Sequence, residues 1–189
     1  MPSHDGCTRW RVERFAGGSY AQSDSPVLIR NATYSDIPAL VEFGNQIHAE
    51  SKFSTLDFDA DKVKQTLESI VESKSGTHCC FVATSTDEQL IGVLIGCIEE
   101  YFFSRSLMAH SILIYVHPKW RGSPAALKFI HAFRNWATNR GALEICIGVA
   151  SGVTISRTDR FLRRLGFSVT GGNYSMVIRQ DSAGERRAS

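Results

Sequence analysis

SILIYVHPKWRGSPAALKFIHAFRNWATNR, from Ser111 to Arg140, is the stretch whose reading decides the fold. Ile112, Leu113, Ile114, Tyr115 and Val116 form a β-branched and aromatic run that ends at His117-Pro118, which reads as a buried strand. Pro118 stops the strand, because proline has no N–H to donate to a ladder. Ser123 then offers an N-cap, and Pro124 sits at the first helical position, where its fixed φ already suits a helix. Ala126, Leu127, Phe129, Ile130, Phe133, Trp136 and Ala137 recur at helical spacing, while Lys128, Arg134, Asn135 and Asn139 lie off that face. The pattern predicts a long amphipathic helix packed on a sheet, closed by Gly141 as its C′ residue.

The joint between strand and helix, KWRGSP, carries the chemical interest. A helix start exposes unpaired N–H groups and the positive end of the macrodipole, and Lys119 and Arg121 add side-chain charge. An anion, phosphate above all, suits such a turn; an ordinary turn with solvated basic residues fits the spacing as well.

Outward from this joint, the chain of 189 residues, 43% of them hydrophobic, supports one sizeable core and not two comfortable domains. A net charge of +2 gives no reason to expect nucleic acid or an anionic membrane as the main partner. Residues 1–25 mix small, polar and charged side chains without the apolar core of a secretory signal, and read as an N-terminal extension. Within it, RWRVERF suits either an added strand or a mobile tail. No stretch approaches the ~20 apolar residues of a membrane-spanning helix. Cys7, Cys79, Cys80, Cys97 and Cys146 show no metal-ligand spacing and mostly sit in apolar runs, which points to reduced core residues, a cytoplasmic location and no metal.

The remaining elements follow in chain order. Val27 to Arg30 predicts a strand, Thr33-x-x-Asp36 a capping signal, and Ile37 to Glu50 a helix. SKFSTLDF, residues 51–58, predicts a loop, and Asp59 or Asp61 opens a second helix, with Val63, Leu67, Ile70 and Val71 spaced for burial and Gly76 following its end. Cys79 to Thr84, Leu90 to Tyr101 and about His110 to Val116 predict an antiparallel meander, with Gly92 and Gly96 at close-approach or bulge positions. Leu143 to Val149, reached through a helix, should lie parallel to the strand ending at Val116. Two parallel strands that splay apart would open a slot for a long, thin ligand. Thr154 to Leu165 predicts a short helix with a basic outer face. Phe167 to Thr170 and Tyr174 to Arg179 predict a hairpin across Gly171-Gly172, before a polar tail at 181–189.

Val116-x-Pro118-x-x-Arg121-x-x-Pro124-x-Ala126 before a helix, with Leu165-Gly166-Phe167 downstream, resembles motif A and the closing helix of the GNAT superfamily of acetyl-CoA-dependent acyltransferases. HPKWRG and F-x-x-W-A resemble in particular small bacterial or phage members. The resemblance spans about Val27 to Arg179 and implies a single α/β (α+β) GNAT-like domain at 26–180. That domain would have a mixed, mostly antiparallel, seven-stranded sheet, helices on both faces and a splayed parallel strand pair. It implies that the backbone of Ile114, Tyr115 and Val116 holds the acetyl and pantetheine groups of acetyl-CoA. The amides of Arg121, Gly122, Ser123, Ala125 and Ala126 would meet the pyrophosphate. Pro124 stands where the superfamily usually has its first glycine, which removes one N–H from the cradle. Leu162 stands where many members have a tyrosine acid, so the general acid is unassigned.

An amine attacks a thioester only when neutral, and an imidazole has a pKa suited to taking its proton. His110, opening the motif's strand, is therefore the first candidate base; the other reading is a strand-end histidine satisfied by solvent. Glu99 and Glu100 are the second candidates, and strand alternation allows only one of them to face a given site. Tyr101, Phe102, Phe103, Phe53 and Phe58 are candidate walls of an acceptor pocket or plain core. The expectation is an N-acetyltransferase acting on an amine acceptor, small molecule or protein. Alternatives are a non-catalytic acyl-CoA-binding regulatory module and an acyltransferase acting on a macromolecule. Dimers are frequent in the superfamily, so a homodimer is an open expectation; the sequence names neither the acceptor nor the oligomeric state.

Overall fold

The computed structural model describes residues 26–73, 75–148, 155–172 and 176. Its elements are β1 (Leu28–Asn31), α1 (Ile37–Glu50), α2 (Ala60–Glu72), β2 (His78–Thr84), β3 (Leu90–Tyr101), β4 (Ser104–Val116), α3 (Ala125–Thr138), β5 (Ala142–Ile147) and α4 (Ile155–Arg164). Short 3₁₀ turns at Tyr34–Asp36 and Pro118–Trp120 precede α1 and α3. The sheet has five strands in chain order; β1 to β4 pair antiparallel and β5 lies parallel to β4.

The expected seven strands are corrected to five among the described residues. Of the predicted last hairpin, Phe167 to Thr170 is described and carries no strand, with Val169 61% exposed and in no ladder. An alternating apolar pattern alone does not make a strand, and no strand among the described residues pairs with this segment. Tyr174 to Arg179, apart from Met176, lies outside the described residues, as do the extension 1–25 and the tail 181–189.

Helices cover both faces, as strand alternation requires. On one face α3 buries Phe129, Phe133, Trp136 and Ala137 against Leu94 and Ala109. On the other, Ile37, Leu40 and Phe43 of α1 and Leu67 of α2 pack on Cys80, Val82, Val93 and Tyr115. The predicted close approaches of Gly92 and Gly96 are present. A Cβ on Gly92 would meet the Tyr115 carbonyl at 2.8 Å, and one on Gly96 would meet Phe133 Cε2 at 2.4 Å. These two glycines let α3 lie directly on β3.

The ends of the helices are fixed locally. The Asp59 carboxylate caps α2 by accepting from the Lys62 N–H at 2.9 Å. Gly141, at φ 76°, turns the chain out of α3 as predicted. α3 begins one residue later than the sequence suggested: Pro124 is its cap, and the Ser123 Oγ accepts from the Ala125 N–H at 3.3 Å. Before α1, the Asp36 carboxylate accepts from the Thr33 N–H at 2.8 Å and from both Arg30 Nη atoms at 2.7 Å.

The Arg30 hydrogen bonds, with those from Thr33, hold the Asp36 carboxyl down at about 2. Its folded pKa is thus depressed, so its contribution to stability is present above the ordinary carboxylate range and is lost as pH falls from about 4 toward about 2. Asp36→Asn should therefore melt below the wild type at neutral pH, and the gap should close toward pH 2. Thermal melts across that range check this; a gap that does not change with pH refutes it.

Candidate active site

β4 and β5 pair at five positions, from Leu107 with Ala142 to Ser111 with Ile147, and the ladder stops there. β4 runs on to Val116, so over 112–116 the edge turned away from β3 has no ladder partner among the described residues. Its pairing with β3 skips a residue at the same place: Leu113 opposes Ile95, Ser111 opposes Gly96, and Ile112 opposes nothing. Such an extra residue bends a strand and raises its local twist, and here it lies next to the last pair of the β4–β5 ladder. The Gly148 N–H donates to the Ser111 Oγ at 3.3 Å just past the last pair. Ile114, Tyr115 and Val116 thus lie on the stretch of edge, without a ladder partner among the described residues, where the sequence reading expects one wall of a slot.

At the end of that wall lies the turn into α3. Of the five amides expected to face an anion, the Arg121 N–H donates to the Pro118 carbonyl and the Ser123 N–H to the Trp120 carbonyl. The Ala125 N–H reaches the Ser123 hydroxyl at 3.3 Å. The amides of Gly122 and Ala126 keep no acceptor among the described residues, and Leu127, in the first helical turn, adds a third that the sequence reading missed. Gly122 has φ 107°, a conformation that side-chain-bearing residues rarely adopt, which is why glycine stands there.

The Arg121 side chain does not point into this cradle. Its Nε donates to the Val116 carbonyl at 3.1 Å, an Nη pairs with Glu50, and the guanidinium sits 5.5 Å from the Tyr115 ring centroid. Glu50, the last residue of α1, uses its other oxygen to accept from the Tyr115 hydroxyl at 2.8 Å. Burial would raise the Glu50 carboxyl, but the hydrogen bonds from Arg121 and Tyr115 outweigh it and hold the carboxyl below its usual value. Burial, and then the bond to Glu50, push the Tyr115 phenol up to about 12. Phe43 supports the cluster from α1, edge-on to Tyr115 at 5.5 Å and stacked on His117 at 6.1 Å.

On the sheet face shared with α1, the register sets Cys97, His110 and Cys146 in a row across three strands, with Glu99, Met108 and Glu144 in the next. His110 Nε2 lies 2.9 Å from Glu99 Oε1. The two are close enough to exchange a proton, but Nε2, closed off from solvent, has no aligned hydrogen-bond partner. Glu100 pairs with Leu107 on the opposite face, so Glu99 is the member of the pair that meets His110. The Glu144 carboxylate drives the Tyr101 phenol up to about 12. Leu162 is buried in α4, only 9% exposed.

Other sequence candidates lie apart. Phe102 and Phe103, 104% and 86% exposed, form the tip of the β3–β4 hairpin and belong neither to the core nor to a pocket wall. Phe53 is 43% exposed, while Phe58 packs against His48 at 5.6 Å. Cys79, Cys80, Cys97 and Cys146 are free thiols, and burial pushes Cys79 and Cys80 up to about 12, which makes them inert. Among the described residues no group of His, Cys, Asp or Glu is arranged to hold a metal ion, and no helix is long and apolar enough to cross a membrane.

Neither a protein-family model nor a curated protein sequence matches the chain. Solved structures do. AAC(6')-Iy, in complex with a CoA-based bisubstrate analogue, is 20% identical with a TM-score of 0.67, over 82% of this chain and 99% of that one. Glucosamine-6-phosphate N-acetyltransferase from Arabidopsis thaliana is 16% identical with a TM-score of 0.65, over 82% and 99%. A transcriptional regulator from Bacillus halodurans C-125 is 19% identical with a TM-score of 0.66, over 81% and 100%. At such identities the likeness speaks for architecture: the chain has the fold of the GNAT-type acetyltransferases.

Proposed function

We propose that the chain is a GNAT-type N-acetyltransferase that moves the acetyl group of acetyl-CoA directly to an amine. The observation that carries this reading is the end of the β4–β5 ladder at Ser111 and Ile147, one strand step from His110, which leaves the β4 edge over 112–116 without a ladder partner and leads to a turn whose amides at Gly122, Ala126 and Leu127 keep no acceptor among the described residues. Acetyl-CoA is long, thin and anionic at one end, and that shape and charge match a slot ending at a helix N-terminus. Backbone donors of Ile114 to Val116 would take the thioester carbonyl and stabilise the oxyanion that develops there. The amine nitrogen bonds to the carbonyl carbon, the C–S bond breaks, and the electron pair leaves on sulfur as the CoA thiolate. His110 would receive the proton from the attacking nitrogen, directly or through water, with Glu99 beside it to hold the imidazolium. Since Leu162 offers no proton, the thiolate would take one from solvent.

A cytoplasmic setting, where acetyl-CoA and reduced thiols occur together, fits the four free cysteines among the described residues. The acceptor is an amine of a small molecule or a protein; a homodimer remains part of the proposal only by analogy. Leu162 favours one other reading, a regulatory module that binds an acyl-CoA without turning it over.

Incubation with acetyl-CoA and a panel of amino sugars, polyamines and peptides separates the two. Amine-dependent release of free thiol, with the acetylated amine identified by mass spectrometry, is the expected result. Calorimetric binding of acetyl-CoA without turnover on any amine would favour the module, and no binding at all would end both readings.

A further inference from the structure

We propose that the side-chain cation for the cofactor's pyrophosphate comes from Arg157 on α4, and that Arg121, at the motif's arginine position, is a strut. The inference rests on the acetyl-CoA reading above and assigns a residue that the motif does not contain. Arg121 is ruled out as the free cation by its three contacts: the Val116 carbonyl, the Glu50 carboxylate and the Tyr115 ring. Its charge is matched by that of Glu50, so at the turn the pair contributes little net field. Releasing it would also leave Glu50 with only the Tyr115 hydroxyl.

Arg157 is placed differently. Its Nη2 lies 3.8 Å from the point where a Cβ would project from Gly122, whose own amide is one of the three without an acceptor. It is exposed and makes no hydrogen bond or ion pair among the described residues, and the one carboxylate on its helix, Asp159, is paired with Arg163. Gly122 has no side chain, so nothing of its own stands between that guanidinium and the turn. The planar fork of a guanidinium meets a phosphate through two parallel charge-assisted bonds, which suits a cradle that Pro124 has deprived of an amide. Arg157 would thus stand in for the N–H that the proline lacks.

Calorimetric titration with CoA and with 3′-dephospho-CoA, on wild type, Arg157→Gln, Arg121→Gln and Lys119→Gln, tests this. Arg157→Gln should weaken both ligands by about tenfold or more, the loss of a charge-assisted contact, at an unchanged melting temperature. Arg121→Gln should lower the melting temperature and move either affinity by no more than about threefold, since its guanidinium meets protein groups. If Arg157→Gln binds like wild type, or the loss falls on Arg121→Gln or Lys119→Gln instead, the assignment is overturned. A loss confined to CoA and absent with dephospho-CoA overturns it too, because the contact would then be to the 3′-phosphate. Wild type that binds neither ligand overturns the acetyl-CoA reading itself, an outcome distinct from the others.

Discussion

Gly96→Ala should lower the melting temperature by about 6–12 °C, the shift that ~3 kcal/mol produces in a domain of this size. The new Cβ would lie 2.4 Å from Phe133 Cε2 and 3.0 Å from the His110 carbonyl. Phe133 cannot swing aside, because it is fully buried and stacked on Trp136 at 5.7 Å. Trp136 is in turn covered by the Arg140 guanidinium, 4.7 Å from its ring centroid. The His110 carbonyl is ladder backbone and moves only with β4. Overpacking of this kind usually costs 1–3 kcal/mol, and the backbone contact puts this site at the top of that range. Phe133→Leu should remove part of the clash, so the double variant should lose less than the two single losses added together. Additive losses in a double-mutant cycle of melting experiments would show that the clash is not with Phe133.

His110→Ala should lower kcat on the accepted amine by about two to four orders of magnitude, the range for loss of a positioned general base. The affinity for CoA should hold, because the proposed mechanism gives His110 the proton of the amine and leaves the cofactor to backbone groups of 114–116 and the turn. Glu99→Gln should cost much less, since in the proposed mechanism Glu99 acts only through His110. Turnover unchanged in His110→Ala would remove His110 from the mechanism and leave a strand-end histidine. A fall in CoA affinity with kcat intact would place its role in binding.

Much of the architecture was legible because it rests on local rules. Gly141 and Asp59 mark helix ends by their own conformational and hydrogen-bonding preferences, and the apolar spacing of Phe129, Phe133 and Trp136 already specifies a buried face. Gly92 and Gly96 were readable as close approaches, though their partners, Tyr115, Phe129 and Phe133, came only with the structure. The start of β4 was misjudged by six residues, His110 for Ser104, because Ser104 to Met108 lacks the β-branched signature and is a strand through pairing with β3. Phe102 and Phe103 were misread for the same reason. A tight turn without glycine or asparagine gives no local signal, so two aromatics on a hairpin tip looked like wall or core.

The site divided along the same line. His110, Glu99 and the turn were visible as residue types in the right order. The engagement of Arg121 was not, because its partner Glu50 lies 71 residues earlier on another element. Nor was Arg157, which reaches the turn from a helix that the motif pattern treats as a separate part. Long-range ion pairs have no sequence period, and only a fold brings such partners together.

The sheet's strand order also bears on how the protein is assembled. β2, β3 and β4 are joined by tight hairpins, and each pairs with the strand just before it in the chain. A nascent chain that ends near Val116 therefore already holds every residue of the antiparallel part. The parallel seam is different: β5 reaches β4 only after the whole of α3 has been made and laid across the sheet. That closure is late and non-local. On the acetyl-CoA reading proposed above, an unfinished or truncated chain would own nearly the whole antiparallel sheet and still lack the site, so CoA binding would report on the last step of folding.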